Sequence, residues 1–343
     1  MATIYKCPTC GGNMLYDAEL GQLKCEQCSL EMPVQDYETT DAKEENNAYT
    51  EDGRRQYRCP SCGATLMTDT YTAATSCAYC GSPNVIEEQV DRDFKPDIVL
   101  PFQVERKEAV EKLNKWCRGG ILTPSDFLKD DVVKAKLNGI YVPFWVYDIM
   151  TDSSIAAHCE RVSVTTSGNK ETTKRYKYHV KRSGKAAFAR IPRDASKRMD
   201  NKKMDMLEPF QIDKAKEFSG AYLSGFSAER YSETKDEVYS RASGIARQYA
   251  IDELRNTISG YDSVNVTSEH VDMNCVKTDY ALYPVWHYEY KYNNKLYEFM
   301  MNGQTGKVVG KPPVSIGKVF LVAATCFVTV FSLAASLVAF ALG

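Results

Sequence analysis

Apolar side chains are sparse and short-ranged over the first ninety residues. The alternation from Asn13 to Tyr16 and from Gln22 to Lys24 predicts two short strands, with a turn near Gly21. Residues 35–56 are polar, acidic and poor in aliphatics, which predicts a flexible linker. From Phe94 the pattern changes. Ile98 to Phe102 reads as a strand, and Ala109, Val110, Leu113 and Trp116 recur at helical spacing within 105–116. Pro124 opens a predicted short helix to Lys136, and the aromatic, β-branched run from Ile140 to Tyr147 predicts a strand whose Pro143 belongs at an edge or bulge. Residues 153–164 and 172–191 alternate as further strands. Val238, Ala242, Ile245, Tyr249, Leu254 and Ile258 predict a long amphipathic helix over 233–258. Tyr280 to Tyr292 is strongly β-prone, and strands at 296–301 and 307–309 flank a hairpin loop, Asn302 to Gly306.

Two patterns stand outside this alternation. Cys7-Pro-Thr-Cys10 and Cys25-Glu-Gln-Cys28 recur 52 residues later as Cys59-Pro-Ser-Cys62 and Cys77-Ala-Tyr-Cys80, with 14 residues between the pairs in both copies. Two such pairs supply four thiolates to one tetrahedral zinc, so the eight cysteines predict two structural zinc ions with no coordination position left for water. Gly11, Gly63 and Gly81 follow three of the pairs, where the knuckle needs a positive φ, and Ser29 takes the fourth place. Two weaker echoes have unequal spacing, 42 residues against 75 between their prolines: Pro101-Phe-Gln103 and Pro209-Phe-Gln211 each open a segment, and Tyr141-Val-Pro-Phe-Trp145 and Tyr283-Pro-Val-Trp286 each close one.

The second pattern is Val319 to Leu342, 24 residues without a charge, long enough for a bilayer core of about 30 Å. Lys307, Lys311 and Lys318 precede it and no signal-like segment opens the chain, so the expectation is a single-pass C-terminal tail anchor in the cell membrane with the bulk cytoplasmic. A reducing cytoplasm favours thiolate–zinc over disulfides. The resulting organisation is ribbon one at 1–34, an acidic linker at 35–56, ribbon two at 57–93, an α+β cytoplasmic domain at 94–313 and the anchor at 314–343: two small tandem zinc ribbons plus an α+β domain and one transmembrane helix.

Charge refines the choice of partner. Residues 1–90 hold 6 Lys/Arg against 14 Asp/Glu, poor footing for phosphates, whereas residues 174–203 hold 12 Lys/Arg against 2 Asp. That basic stretch suits anionic lipid beside the anchor, nucleic acid, or the acidic ribbons themselves. Gly303-Gln-Thr-Gly306-Lys307 lacks the spacing of a phosphate loop and reads as a turn. His158, Cys159 and Glu160 are consecutive, so a strand sends them to alternate faces and no catalytic triad forms.

The tandem ribbons, Leu100-Pro-Phe-Gln103, Tyr141-Val-Pro-Phe-Trp145, the run Tyr297 to Lys307 and the terminal apolar segment together resemble bacterial TFIIB-type zinc ribbon-containing membrane proteins. The resemblance implies metal binding by the ribbon cysteines and does not imply transcription initiation. The expected function is a non-enzymatic, membrane-tethered adaptor that presents two zinc ribbons to a protein partner. The alternative is a nucleic-acid-binding protein held at the membrane, which Arg54, Arg55 and Arg58 at the start of ribbon two would serve.

Overall fold

The computed structural model describes residues 2–37, 48–49, 55–86, 94–124, 127 and 137–342. Its strands in chain order are β1 (Ala2–Thr3), β2 (Met14–Asp17), β3 (Gln22–Cys25), β4 (Glu31–Met32), β5 (Ala48–Tyr49), β6 (Arg55–Arg58), β7 (Thr65–Thr68), β8 (Thr72–Ser76), β9 (Pro83–Ile86), β10 (Ile98–Val99), β11 (Asn138–Ser167), β12 (Lys170–Asp194), β13 (Lys216–Glu217), β14 (Ser227–Glu229), β15 (Ser263–Tyr292), β16 (Lys295–Asn302) and β17 (Val308–Gly310). The α-helices are α1 (Arg106–Arg118), α2 (Asn201–Met206), α3 (Lys235–Asn256) and α4 (Ile316–Leu342). The helix expected between Pro124 and Lys136 falls almost wholly outside the described residues.

The body is a large mixed sheet of 11 strands rather than a small separate domain. Its spine is β11, antiparallel to β15 on one side and to β12 on the other. The sequence shows 140–147 and 153–164 as separate strands, but they are one 30-residue strand. The reason is that its far half pairs on both edges while one face stays in water, so polar residues interrupt the apolar pattern without breaking the ladder. The three strands leave the base as a long blade, and α3 lies on one face of it. Ile155, Ala157, Cys159 and Val180 pack there against Leu254 and Ile258 of the α3 segment. A capping box between Thr234 and Glu237 starts α3 where the sequence pattern begins.

Pro143 and Pro284 fall where a strand changes partners. Pro143 lies between the last β14 pair, Tyr141↔Ala228, and the first β12 pair, Phe144↔Asp194. Pro284 lies between Leu282↔Val99 and Val285↔Asn302. A residue without an N–H is accommodated at such a gap in the ladder. The two echoed motifs are themselves cross-strand neighbours, Tyr141 opposite Pro284 and Val142 opposite Tyr283.

The Pro-Phe-Gln echo also has a structural meaning. Both copies clasp the loop Asn302 to Gly306, which is largely buried instead of a solvent hairpin. Gln103 and Val104 donate their backbone N–H groups to the Gly303 carbonyl, and Gln211 donates its own to Gln304 Oε1. Asn302 Nδ2 donates to the carbonyls of Leu207 and Pro209. Gly303 is required here, because a Cβ would lie 2.7 Å from Phe102 and Pro284 atoms.

The ribbons are built into this sheet, which corrects the expectation that they ride on a flexible arm. Most of 35–56 lies outside the described residues, but β5 and the start of β6, inside the expected linker, pair with each other in the ribbon two sheet. Strands β8 and β9 of ribbon two join the main sheet through β14, and β1 pairs with β9. Met14, Tyr16 and Leu23 of ribbon one share a core with Phe102, Tyr141, Tyr222 and Trp286. One segment, residues 219–231, receives both ribbons. Tyr16 stacks obliquely on Tyr222 at 5.3 Å, Ser224 Oγ donates to the Met14 carbonyl at 2.6 Å, and Arg230 N donates to the Tyr71 carbonyl at 2.8 Å. Such long-range packing leaves no local trace, because each knuckle pattern is complete in its own thirty residues.

Helix α4 is apolar after Lys318 and exposed along most of its described side chains, and residues 316–336 alone span about 32 Å at 1.5 Å per residue. One helix therefore has the length and composition to cross a membrane. Its first turn is held to the body: Ser315 N donates to the Leu122 carbonyl and Lys318 Nζ to the Thr123 carbonyl.

Candidate metal centres

Four knuckles of one design position the eight cysteines. In each, the first Cys carbonyl accepts an N–H four residues on: Gly11 to Cys7, Ser29 to Cys25, Gly63 to Cys59 and Gly81 to Cys77. The four donors have φ of 73°, 57°, 72° and 73°, so Ser29 adopts the left-handed conformation that glycine takes elsewhere. The first cysteine of every pair is buried and the second exposed, which sets both centres at the surface with their inner sulfurs against the fold.

The knuckles converge in pairs. Cys7, Cys10, Cys25 and Cys28 form one group and Cys59, Cys62, Cys77 and Cys80 the other, each with its sulfurs within 4.8 Å of one another. Sγ separations are 3.6 Å for Cys7–Cys28, 3.4 Å for Cys10–Cys25, and 3.8 Å for both Cys59–Cys80 and Cys62–Cys77. A tetrahedron with Zn–S bonds of about 2.3 Å has edges of about 3.8 Å, so each set fits one zinc ion. A disulfide would need about 2.05 Å. Backbone N–H groups also aim at the sulfurs: Gln27 N lies 3.4 Å from Cys25 Sγ, and the Cys28 backbone leads the effects that lower the Cys25 thiol to about 6. The Ser82 hydroxyl leads those that lower Cys80 to about 6. Thiolate, the ligating form, is thereby favoured at one sulfur or more of each set. With zinc bound, four sulfurs close the coordination sphere, and the metal's contribution is to hold two knuckles together.

The remaining sequence candidates do not assemble. Cys159 is buried under α3 while His158 and His179 face solvent as a cross-strand pair with rings 5.2 Å apart. Cys117 is buried, and desolvation raises its thiol to about 12, which makes it unreactive. His287, Glu289 and Glu298 approach one another at the base, a group that sequence spacing did not suggest because it depends on β15–β16 register. Burial opposes ionisation of Glu298, yet the Lys203 ammonium and His287 hold it below its usual range, so its charge is already matched.

The basic stretch 174–203 divides in two. Arg193 is buried and pairs with Glu208 at 2.7 Å, Arg198 pairs with Asp69 at 2.9 Å, and Lys203 pairs with Glu298. The 174–185 half runs along the blade, where Arg175 and Lys177 share Glu160 and Lys185 meets Asp152. A cleft of about 440 Å³ also opens between ribbon one and the body, with Leu15, Phe226 and Trp286 as its apolar floor and Lys24, Arg106, Asp17 and Glu105 on its rim. Sequence reasoning had no signal for this cleft, since its walls come from five distant segments.

No protein-family model and no solved structure matches the chain. Among curated proteins, it is 37% identical over 321 residues to YdjG of Bacillus subtilis (strain 168), itself named as uncharacterized, and the alignment covers 93% of this chain and 92% of that one. With two four-cysteine centres, a large mixed sheet and one apolar C-terminal helix, the chain belongs to the family of that Bacillus protein.

Proposed function

We propose that this protein is a non-enzymatic, membrane-held adaptor in which two structural zinc ions shape a protein-binding surface at the ribbon end of the sheet. The tandem ribbons with a membrane segment also support placing it with the TFIIB-type zinc ribbon-containing membrane proteins. In this reading helix α4 is the anchor, and Lys307, Lys311 and Lys318 before its charge-free run support a cytoplasmic bulk by the positive-inside preference.

The observation that carries this reading is the cleft beside Cys25. It has an apolar floor and a mixed-charge rim, the makeup of a polypeptide-binding site. One wall is ribbon one, so its shape depends on zinc. The closed thiolate sets leave the metals no position for a substrate.

Photo-crosslinking tests it. A crosslinking amino acid at Leu15 or Lys24, in native membranes, is expected to trap a discrete protein that is lost with Phe226→Asp and with Cys10→Ser. Absence of any adduct, or adducts unchanged by both substitutions, refutes the reading.

A further inference from the structure

The blade carries a charged edge that neither the zinc centres nor the cleft uses. β12 pairs with β11 alone among the described residues, so its other side is a sheet edge. Between residues 174 and 185 this edge presents Lys174, Arg175, Lys177, Lys181, Arg182 and Lys185, with no acidic residue in the run. Arg175 and Lys177 share Glu160 at 3.9 and 3.8 Å, and Lys185 meets Asp152 at 3.3 Å. Among the described residues, Lys174, Lys181 and Arg182 form no ion pair with a carboxylate. Tyr176 and Tyr178 stand between the cations, 46% and 40% exposed.

The position of this edge argues against lipid. Helix α4 starts beside Leu122 and Thr123, and nearby Phe127 packs on Tyr290 and Tyr292 at the end of β15. The basic run pairs with β11 residues 152–163, of which 152–160 lie opposite the other end of β15, from Asp272 to Ser263. At about 3.3 Å per residue, the strand from Val271 to Tyr292 spans up to about 70 Å. Anchor and basic edge are therefore at opposite ends of one sheet. The acidic ribbons are excluded as partners within the chain for the same reason, since ribbon two joins β11 through β14 at Ile140 and Tyr141 and ribbon one packs on Tyr141 and Tyr222.

We propose that this edge binds single-stranded nucleic acid, held away from the membrane by the length of the blade. Same-face side chains two residues apart on a strand are about 6.7 Å apart, close to the phosphate repeat of an extended single strand. Arg175 and Lys177 are set at that interval on the same face as Lys181 and Lys185, whereas Lys174 and Arg182 lie on the other face with Tyr176 and Tyr178, the latter braced on Tyr261. At an open edge both faces reach one strand, so the cations take the phosphates and the two rings supply base stacking, which is tolerant of sequence. Lysine on a sheet edge also discourages strand aggregation, but that role needs neither the run of six cations nor the exposed rings.

Fluorescence anisotropy with the full chain in neutral nanodiscs and a labelled 20-nucleotide strand decides the matter. The expected result is binding whose log affinity falls with log salt at a slope near −4, about −0.7 for each of six phosphate contacts. The triple variant K174E/K181E/R182E should bind about 100-fold more weakly at 0.1 M salt and lose about 2 from that slope. The pair Tyr176→Ala and Tyr178→Ala should each weaken binding about fivefold or more with the slope unchanged. Unchanged melting temperature shows that the variants are folded. No binding in 50 mM salt, or equal binding by the charge-reversal variant, overturns the proposal. Displacement of the strand by polyglutamate or by anionic vesicles at matched charge also overturns it, the first in favour of an acidic protein and the second in favour of lipid.

Discussion

Removing one zinc ligand from ribbon one is expected to loosen the body of the protein, not only the ribbon. Cys25→Ser replaces a buried sulfur and leaves three ligands. A structural zinc contributes about 10–16 kcal/mol of apparent folding stability to a module of this kind. Without it the knuckles separate, and Tyr5, Met14, Tyr16, Leu23 and Val34, all buried, lose their cover. At about 1.5–3 kcal/mol for each side chain, about 7–15 kcal/mol of burial is at stake, the size of a whole domain's net stability. The exposure reaches Tyr222 and Phe226, and through Phe226 the ring of Trp286, 6.0 Å away. Trp286 is buried and donates its indole N–H to the Val104 carbonyl at 3.0 Å. Zinc analysis should therefore fall from two ions per chain to one, tryptophan emission should shift to the red, and the melting temperature of the body should drop. Cys62→Ser in ribbon two is the control. The core around its centre, with Tyr57, Leu66 and Ile86, is separate from the one that holds Trp286, so emission should move less. A Cys25→Ser protein with one zinc, unchanged emission and an unchanged melting temperature would show that ribbon one is a pendant module.

Gly303→Ala forces a methyl group against Phe102 and Pro284, and should cost about 1–3 kcal/mol in denaturant unfolding with the zinc content intact. Arg241→Met strips the partner from Asp194, which is fully buried and bonded to it at 2.8 Å; breaking such a pair should cost about 3–5 kcal/mol. Burial raises Glu229 above its ordinary value near 4.5, against the pull of Ser196 and Arg198. The folded state then holds its proton more tightly than the unfolded state, so this group's contribution to stability falls as pH rises through and above 4.5, and Glu229→Gln should flatten that part of the melting-temperature profile. Deleting residues 316–343 should move the protein from the membrane fraction to the soluble fraction on centrifugation; continued pelleting would place the anchor elsewhere.

The parts of this protein legible in its sequence are those fixed by near neighbours. Each zinc centre is set by Cys-x-x-Cys pairs and the positive-φ residue beyond them, all within about twenty-two residues, and the sulfurs meet as the spacing requires. Helices α1 and α3 follow the apolar spacing to within two residues at each end, because a helix bonds only to itself. The charge-free run of α4 needs no partner either. What the tertiary structure decided depends on strand register, which couples residues a hundred or more apart. It joined two predicted strands into β11, mounted both ribbons on residues 219–231 and turned the Pro-Phe-Gln echo into two clasps on one buried loop. It also divided the basic stretch. Arg193, Arg198 and Lys203 found carboxylates brought from elsewhere in the chain, while Lys174, Lys181 and Arg182 were left along an open edge with no ion pair among the described residues. Composition counts charges along the chain, but only the fold determines which of them already face a counter-charge.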